Sequence, residues 1–569
     1  MPLWSRSGNR RPLPLPEILT LAGVAVLTFC LRAWYIQQYL ILMPNALQPG
    51  NDAGMYWNLG RQIYLKGWLL PGEGPFYQAP LYAYFLALLH HLGIHRIEEI
   101  IRAQAVLGVA NGLLTYALAR SRLPRGWAAG AALLFSLGHY PLFFESKILA
   151  ETLGLFLFLV FACLFTAWIE RSRIVYLLAA AWVFSLVILC RPNMVFTLPF
   201  LVLYGLGGFK QDFQMNISRR SLAHGGLFLA VFIAGVLPAP VRNYFVGGDL
   251  VPLAANSGVT LYMGTNPQAQ GGLAAVEGLS NNIEEQKEGS VALASRLAGR
   301  PLKPSEASNF WIRKTIAWAV SHPGAFLVLE IKKLLWALHY SPPAVNDSPW
   351  FESQWLPLVE LLSRVTWLTL FAGIAGLPWA FNRRDPVPGF FLCVFAGYIL
   401  LSLVYYASDR FLLTLLPFLA IAATDALRKG YRSWREKPPS WTAVFSRKQR
   451  DGWAAWFLFT ALLTANPFLA WNRGREIGIG YYNLGVQYDQ AGDKTQAMHY
   501  YTQGLAYYPD FPSLMLNLGV IHAQRGNLEE STRLFKQVLQ IDPQNQLAKD
   551  NLLINQKRQA RQSSSSPRP

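Results

Sequence analysis

The sequence predicts an all-α fold: a polytopic membrane helical bundle followed by a C-terminal module of helical repeats. Three observations carry this. Hydrophobic residues make up 53% of the 569 and charged residues only 14%, against about 25% charged in soluble domains. The missing charge leaves apolar runs of roughly 20 residues, long enough to cross a bilayer. The tail, in contrast, is polar and repeats itself every 34 residues.

The apolar runs predict about eleven spans, near 17–36, 100–118, 127–144, 151–169, 174–190, 195–208, 223–241, 357–379, 388–406, 411–427 and 453–471. The run 195–208 is short, and reads as tilted or partly interfacial. Arg6, Arg10 and Arg11 precede the first run with no small-residue cleavage site after it, so residues 1–15 read as a cytoplasmic N-terminus before an uncleaved span. The basic residues set the orientation. Arg120, Arg122 and Arg125, then Arg171 and Arg173, then Lys210, Arg219 and Arg220, then Arg383 and Arg384, all fall in alternate loops. The richest loop holds Arg428, Lys429, Arg432, Arg435, Lys437, Arg447, Lys448 and Arg450. With the N-terminus inside a plasma or inner membrane, each of these loops is cytoplasmic. The net charge of +18 thus serves orientation, and nucleic acid is not an expected partner. Cys30, Cys163, Cys190 and Cys393 all lie within apolar runs without ligand spacing, and read as packing residues.

This topology divides the chain. A membrane core covers 16–430, with outer loops 37–99 and 242–356. A basic linker 431–452 and a last span 453–472 follow. Asn483-Leu484-Gly485-Val486 recurs as Asn517-Leu518-Gly519-Val520, Gly492 pairs with Gly526, Pro509 with Pro543, and Asn551-Leu552 opens a third copy. That period is the tetratricopeptide signature. Residues 473–556 are therefore read as repeats on the outer side, and 557–569 as a disordered tail. The repeats either bind a protein or peptide partner or pack against this chain's own outer loops.

The chemistry-bearing residues cluster at the outer edge. Asp52 follows the first span, in Pro49-Gly50-Asn51-Asp52-Ala53-Gly54-Met55-Tyr56. It is either a solvated boundary acid or a base. Phe76-Tyr77-Gln78-Ala79-Pro80-Leu81-Tyr82 adds aromatics suited to a sugar face or to the headgroup belt. Glu145-Ser146-Lys147-Ile148-Leu149-Ala150-Glu151 places three charges where the chain re-enters the bilayer, and charge at that depth is costly unless paired or used. Four residues apart, Lys147 and Glu151 would share a helix face, as a local pair or with Glu151 supporting a base and Lys147 touching phosphate. Arg242-Asn243-Tyr244 and the polar turn through Asn256 follow the seventh span. An outside guanidinium is not needed for orientation and can fork onto phosphate. Ser321 to Trp336, with Lys332 and Lys333, reads as an interfacial helix, and Arg410 in Ser408-Asp409-Arg410-Phe411 is a further phosphate candidate. His90, His91 and His95 lack acidic ligands at fixed spacing, so they read as a polar interfacial cluster, not a metal site.

Taken in order and on one side, these motifs resemble the bacterial relatives of the protein O-mannosyltransferases and aminoarabinose transferases, of the multi-span GT-C glycosyltransferase class, over roughly residues 15–430. The resemblance implies a polyprenyl-phosphate sugar as donor and an acceptor reached from outside. Asp52 matches the essential acid of the first outer loop, and Glu151 a second acidic position. Ala53 stands where the mannosyltransferases carry the second acid of an Asp-Glu pair, so the sugar is not carried over. On this reading Asp52 and Glu151 are catalytic, Arg242, Lys147, Lys333 and Arg410 meet the donor phosphate, and Tyr56, Tyr77, Glu145, Asn243 and Asn256 meet sugar or acceptor. A lipid phosphate leaves readily, so the scheme asks for a base and charge stabilisation, with inversion at the anomeric carbon and neither cofactor nor metal. Membrane lipid and the lipid-linked sugar are the expected partners. Three alternatives stay open: a ligase or polymerase of whole lipid-linked glycans, a lipid flippase, and a non-enzymatic scaffold.

Overall fold

The computed structural model describes residues 14–207, 218–280, 282–380, 387–436, 447–465 and 472–565. Among these residues the regular structure is helical, with no strand. Arg6, Arg10, Arg11, Lys210, Arg383, Arg384 and Lys437 lie outside the described residues, as do the side chains of Arg447, Lys448 and Arg450.

Residues 1–346 and 356–466 form one compact unit, and residues 347–355 and 467–569 the other. In the first, α1 (Leu15–Leu42) is followed by α2 (Asn51–Lys66) and α3 (Leu81–His91), which fill the first outer loop. Then come α4 (Ile97–Arg120), α5 (Arg125–Ser136), α6 (His139–Glu145), α7 (Glu151–Arg171), α8 (Ile174–Cys190), α9 (Leu198–Gly207), α10 (Arg219–Val236) and α11 (Pro238–Phe245). The second outer segment is also ordered into helices: α12 (Ser257–Gly264), α13 (Ile283–Ala298), α14 (Pro304–Ser321) and α15 (Pro323–Ala337).

Each predicted span falls largely on helix among the described residues, with 208 and 466–471 lying outside them. Six stretches are long and apolar enough to cross a bilayer: Leu15–Leu42, Ile97–Arg120, Glu151–Arg171, Arg219–Phe245, Leu358–Pro378 and Asp409–Arg432. The pair α5 and α6 bends by 56° and together is long enough for a seventh. The remaining predicted spans are shorter apolar helices. The protein is a multi-pass membrane helical bundle.

One basic residue used for orientation has another task. Arg120 is buried and donates to Glu17 at 2.8 and 3.2 Å, and Tyr116 shares the same carboxylate. Removing either partner of such a pair leaves a stranded charge.

The second unit opens with α16 (Pro349–Glu352) and is otherwise supplied by the tail. The span helices α17 (Leu358–Ala380), α18 (Val387–Val404), α19 (Asp409–Glu436) and α20 (Arg447–Thr464) complete the first unit. The tail gives α21 (Asn472–Gln490), α22 (Lys494–Tyr507), α23 (Pro512–Gln524), α24 (Leu528–Ile541) and α25 (Gln546–Ser565). Asp493 and Asn527 cap α22 and α24 at equivalent places, each satisfying a first-turn N–H. Gly492 and Gly526 both hold positive φ at the inter-helix turn, which explains their 34-residue spacing. Phe351 and Trp355 pack on Tyr481, Ser348 Oγ donates to Glu476 at 2.6 Å, and the Gly480 position abuts the Phe351 ring. The first repeat is therefore capped by residues 348–355. The last helix runs from Gln546 to Ser565. Lys557, Gln559, Ala560 and Gln562 are helix formers and prolong the capping helix.

Candidate active site

Asp52 is presented by a tight turn. Asn51 adopts φ +49°, a left-handed conformation that Asn tolerates. A Cβ at Gly54 would stand 2.9 Å from the Pro49 carbonyl oxygen, so only glycine lets the loop fold over the start of α2. The turn puts Asp52 in the first turn of α2, where the helix dipole favours a carboxylate.

Around Asp52 a chain of polar side chains assembles from four other elements. Its Oδ2 accepts from Arg410 Nη1 at 2.7 Å, and its Oδ1 from Gln78 Nε2 at 2.8 Å. Arg410, in the first turn of α19, also places Nε 3.4 Å from Glu151 Oε1. Glu151 opens α7 and accepts from Arg191 Nη1 as well. Two acids and two guanidiniums thus alternate in the order Asp52, Arg410, Glu151, Arg191. All are buried or nearly so. Tyr56, one turn beyond Asp52, is buried and packs edge-on against Tyr82 with centroids 5.1 Å apart. Burial, then the neighbouring Asp52 and Glu151 charges, push its hydroxyl well above the ordinary phenol range. Two buried acceptors in the chain have no hydrogen-bond partner, Glu151 Oε2 and Gln78 Oε1.

Asp52, Glu151 and Arg410, distant in sequence, are brought together with Tyr56 beside them. Arg191 was not singled out from sequence. It sits just past the fifth span, outside by the topology used, so the argument applied to Arg242 would have found it.

The other candidates stand elsewhere. Lys147 and Glu151 do not share a helix, because 146–150 is a non-helical break between α6 and α7. Lys147 Nζ donates to Tyr39 Oη at 3.0 Å and lies over that ring. Glu145 is held within the protein. It pairs through both oxygens with Arg32, at 2.9 and 3.0 Å, with almost no exposure. That pair fits because the adjacent Gly108 has no Cβ, which would run into Glu145 and Arg32. Arg242 is no open phosphate clamp. It donates to the carbonyls of Leu69, Leu70, Glu73 and Gly74 at 2.6–3.3 Å and covers Phe76. Carbonyl oxygens draw on the same donors as phosphate, and the loop before Phe76 has taken them. Asn243 accepts from Phe76 N–H at 3.0 Å and donates to Val251 O at 2.9 Å. Asn256 pairs by its backbone N–H with Tyr77 O at 3.2 Å. These residues hold the 69–78 loop that delivers Gln78. Lys333 is fully buried and its three donors go to Thr265, Glu330 and Leu403 O at 2.7–2.8 Å. Burial lowers its pKa, opposed by Glu330. It fixes the segment leading to Arg410 and is unavailable to a phosphate.

Beside the cluster lies a cleft of about 520 Å³ between α2 and α13, lined by Asn58, Gln62, Tyr77, Gln78, Glu284 and Lys287 among others. Tyr77 Oη donates to Gln286 across it at 3.2 Å. The three histidines form an aromatic nest instead: His90, His91 and His95 each pack on Tyr64. Among the described residues, no three His, Cys, Asp or Glu side chains converge as metal ligands do.

Residues 77–241, which include Gln78, Glu151 and Arg191, match the family described as dolichyl-phosphate-mannose-protein mannosyltransferase. This segment is similar to the protein mannosyltransferases. Residues 490–552 match a tetratricopeptide repeat family. Among solved structures, the chain is similar to the oligosaccharyltransferase of Archaeoglobus fulgidus. The apo form shares 14% identity at a TM-score of 0.42, over 81% of this chain and 56% of that one. The form with an inhibitory peptide and a dolichol-phosphate shares 15% at 0.41, over 81% and 56%. The form tethered to an acceptor peptide shares 15% at 0.40, over 85% and 58%. The chain spans little more than half the length of these enzymes.

Proposed function

We propose that the protein is an integral-membrane glycosyltransferase that moves a sugar from a polyprenyl-phosphate donor to an acceptor hydroxyl on the outer face of a plasma or inner membrane. The observation that carries this is the buried alternation of Asp52, Arg410, Glu151 and Arg191, of which Glu151 and Arg191 fall in the mannosyltransferase-like segment. The described family supports a protein as acceptor, and the repeats support a protein partner.

The chemistry follows from what the cluster offers. Asp52 takes the proton of the acceptor hydroxyl. The acceptor oxygen bonds to the anomeric carbon as that carbon's bond to the phosphate oxygen breaks. The bonding pair leaves on the polyprenyl phosphate, and the configuration inverts. Arg410 and Arg191 each carry five N–H donors, enough to hold an acid and still stabilise the departing phosphate. Gln78 and Arg410 fix the orientation of Asp52. No step needs a metal.

The test is transfer of radiolabelled sugar from polyprenyl-phosphate donors by membranes containing the native chain or Asp52→Asn. Label entering protein with the native chain alone supports the reading. Equal transfer by both removes Asp52 as base. Transfer of an intact oligosaccharide would favour the ligase, and no transfer from any donor would favour the scaffold or flippase.

A further inference from the structure

The helix α13, which forms a cleft with α2, supplies no group to the transfer chemistry. The cleft has a direction. Its rim residues Arg61, Leu65 and Lys287 are exposed, whereas Gln78 at its other limit is buried. At about 520 Å³ it falls within the roughly 300–1,000 Å³ of ligand sites. α13 is held over α2 by Asn58 Nδ2, which donates to Glu284 Oε1 at 2.9 Å, and by the bond of Tyr77 to Gln286.

The inner limit is where ligand and chemistry would meet. Gln78 gives its Nε2 to Asp52, and its Oε1 is buried with no partner. An unmatched buried acceptor is costly, and a hydroxyl or amide donor reaching in from the cleft would satisfy it. Such a group would then stand one side chain away from Asp52.

The lining selects the chemistry. Three bases, Arg61, Arg242 and Lys287, balance three acids, Glu73, Glu284 and Glu288. A phosphorylated acceptor would meet no excess of positive charge there. The floor is aliphatic, from Met55, Leu59 and Leu70. Its two aromatic residues, Phe76 and Tyr77, are buried to 4% and 7% exposure, so neither presents an open ring face for a sugar to stack on. Aliphatic pockets between hydrogen-bonding side chains suit an extended, uncharged polypeptide.

We infer that the α2–α13 cleft is the acceptor subsite, taking an extended polypeptide segment whose hydroxyl side chain donates to Gln78 Oε1 on its way to Asp52. The inference rests on the transferase reading and assigns a place for its acceptor. The test uses the full chain in membranes, a polyprenyl-phosphate hexose and a synthetic peptide containing Ser and Thr. Gln62→Trp and Glu288→Trp fill the cleft away from the charge cluster. Each should raise KM for the peptide about tenfold or more while kcat at saturation and release of label to water stay within twofold, the mark of lost acceptor binding. A photo-crosslinking residue at position 62 should capture the peptide in the native background. Unchanged KM with both tryptophan variants overturns the subsite. So does transfer to a glycan that the tryptophans block while the peptide is ignored. Absence of transfer by the native chain to any acceptor overturns the transferase reading itself, and the subsite with it.

Discussion

Two buried charge clusters flank the same helix break, and they differ in how far they extend. The residues 146–150 separate Glu145 from Glu151. Glu145 closes onto Arg32 through both oxygens, 2.9 and 3.0 Å away, and Gln104 bonds the backbone of the break itself at Lys147 O, 2.6 Å. Glu151, six residues on, shares one oxygen between Arg191 and Arg410 and keeps the other unmatched. Its partner chain continues to Asp52 and to the edge of a cleft. Burial and ion pairing therefore do not by themselves mark a site. A pair that closes on itself is scaffold, and a network that runs on through a second guanidinium to a second acid at the edge of a cleft is a candidate for chemistry.

That comparison can be broken in several ways. Asp52→Asn should lower sugar transfer by about 10²–10⁴-fold, the usual worth of a general base, with the protein still eluting as a single folded species. On the scaffold side, Glu145→Gln should cost about 3–5 kcal/mol of stability by stranding Arg32, read as a fall in thermal unfolding temperature in detergent. Phe351→Ala should loosen the second unit by about 3 kcal/mol, read as faster proteolysis of the 472–565 module. Arg410→Lys keeps the charge but not the planar fork that spans Asp52 and Glu151, and transfer should drop by about tenfold to a hundredfold.

The smallest effect is one of pH. Burial holds the His339 imidazole down at about 4, against about 6.5 in an unfolded chain. Between those values the unfolded chain binds a proton that the folded one does not, so stability should fall as pH drops through that window, by at most about 3 kcal/mol. His339→Gln should flatten the slope between thermal unfolding curves at pH 7 and pH 5.

Much of the architecture was legible because it is written in periodicity. Apolar runs mark the helices of the bundle, and the 34-residue spacing marks the repeats. Asp52, Glu151 and Arg410 were legible because charge at a membrane edge demands a reason. What was lost is the choice among partners. Arg242 and Arg191 look alike in sequence, each an arginine just beyond a span. Only the fold shows that one is consumed by the carbonyls of residues 69–74 and the other pairs with Glu151. Lys147 and Glu151 have helical spacing, but the chain breaks between them. The capping of the first repeat by α16 is a contact across more than a hundred residues, Ser348 to Glu476, and has no local signal.

The most direct measurement is turnover per folded molecule, taken side by side for Asp52→Asn and Glu145→Gln with a polyprenyl-phosphate sugar donor. The account predicts that Asp52→Asn remains folded and loses turnover, while Glu145→Gln loses folded protein and keeps near-native turnover in what remains. Normal turnover by Asp52→Asn, with turnover abolished in well-folded Glu145→Gln, would place the chemistry in the other cluster and contradict it.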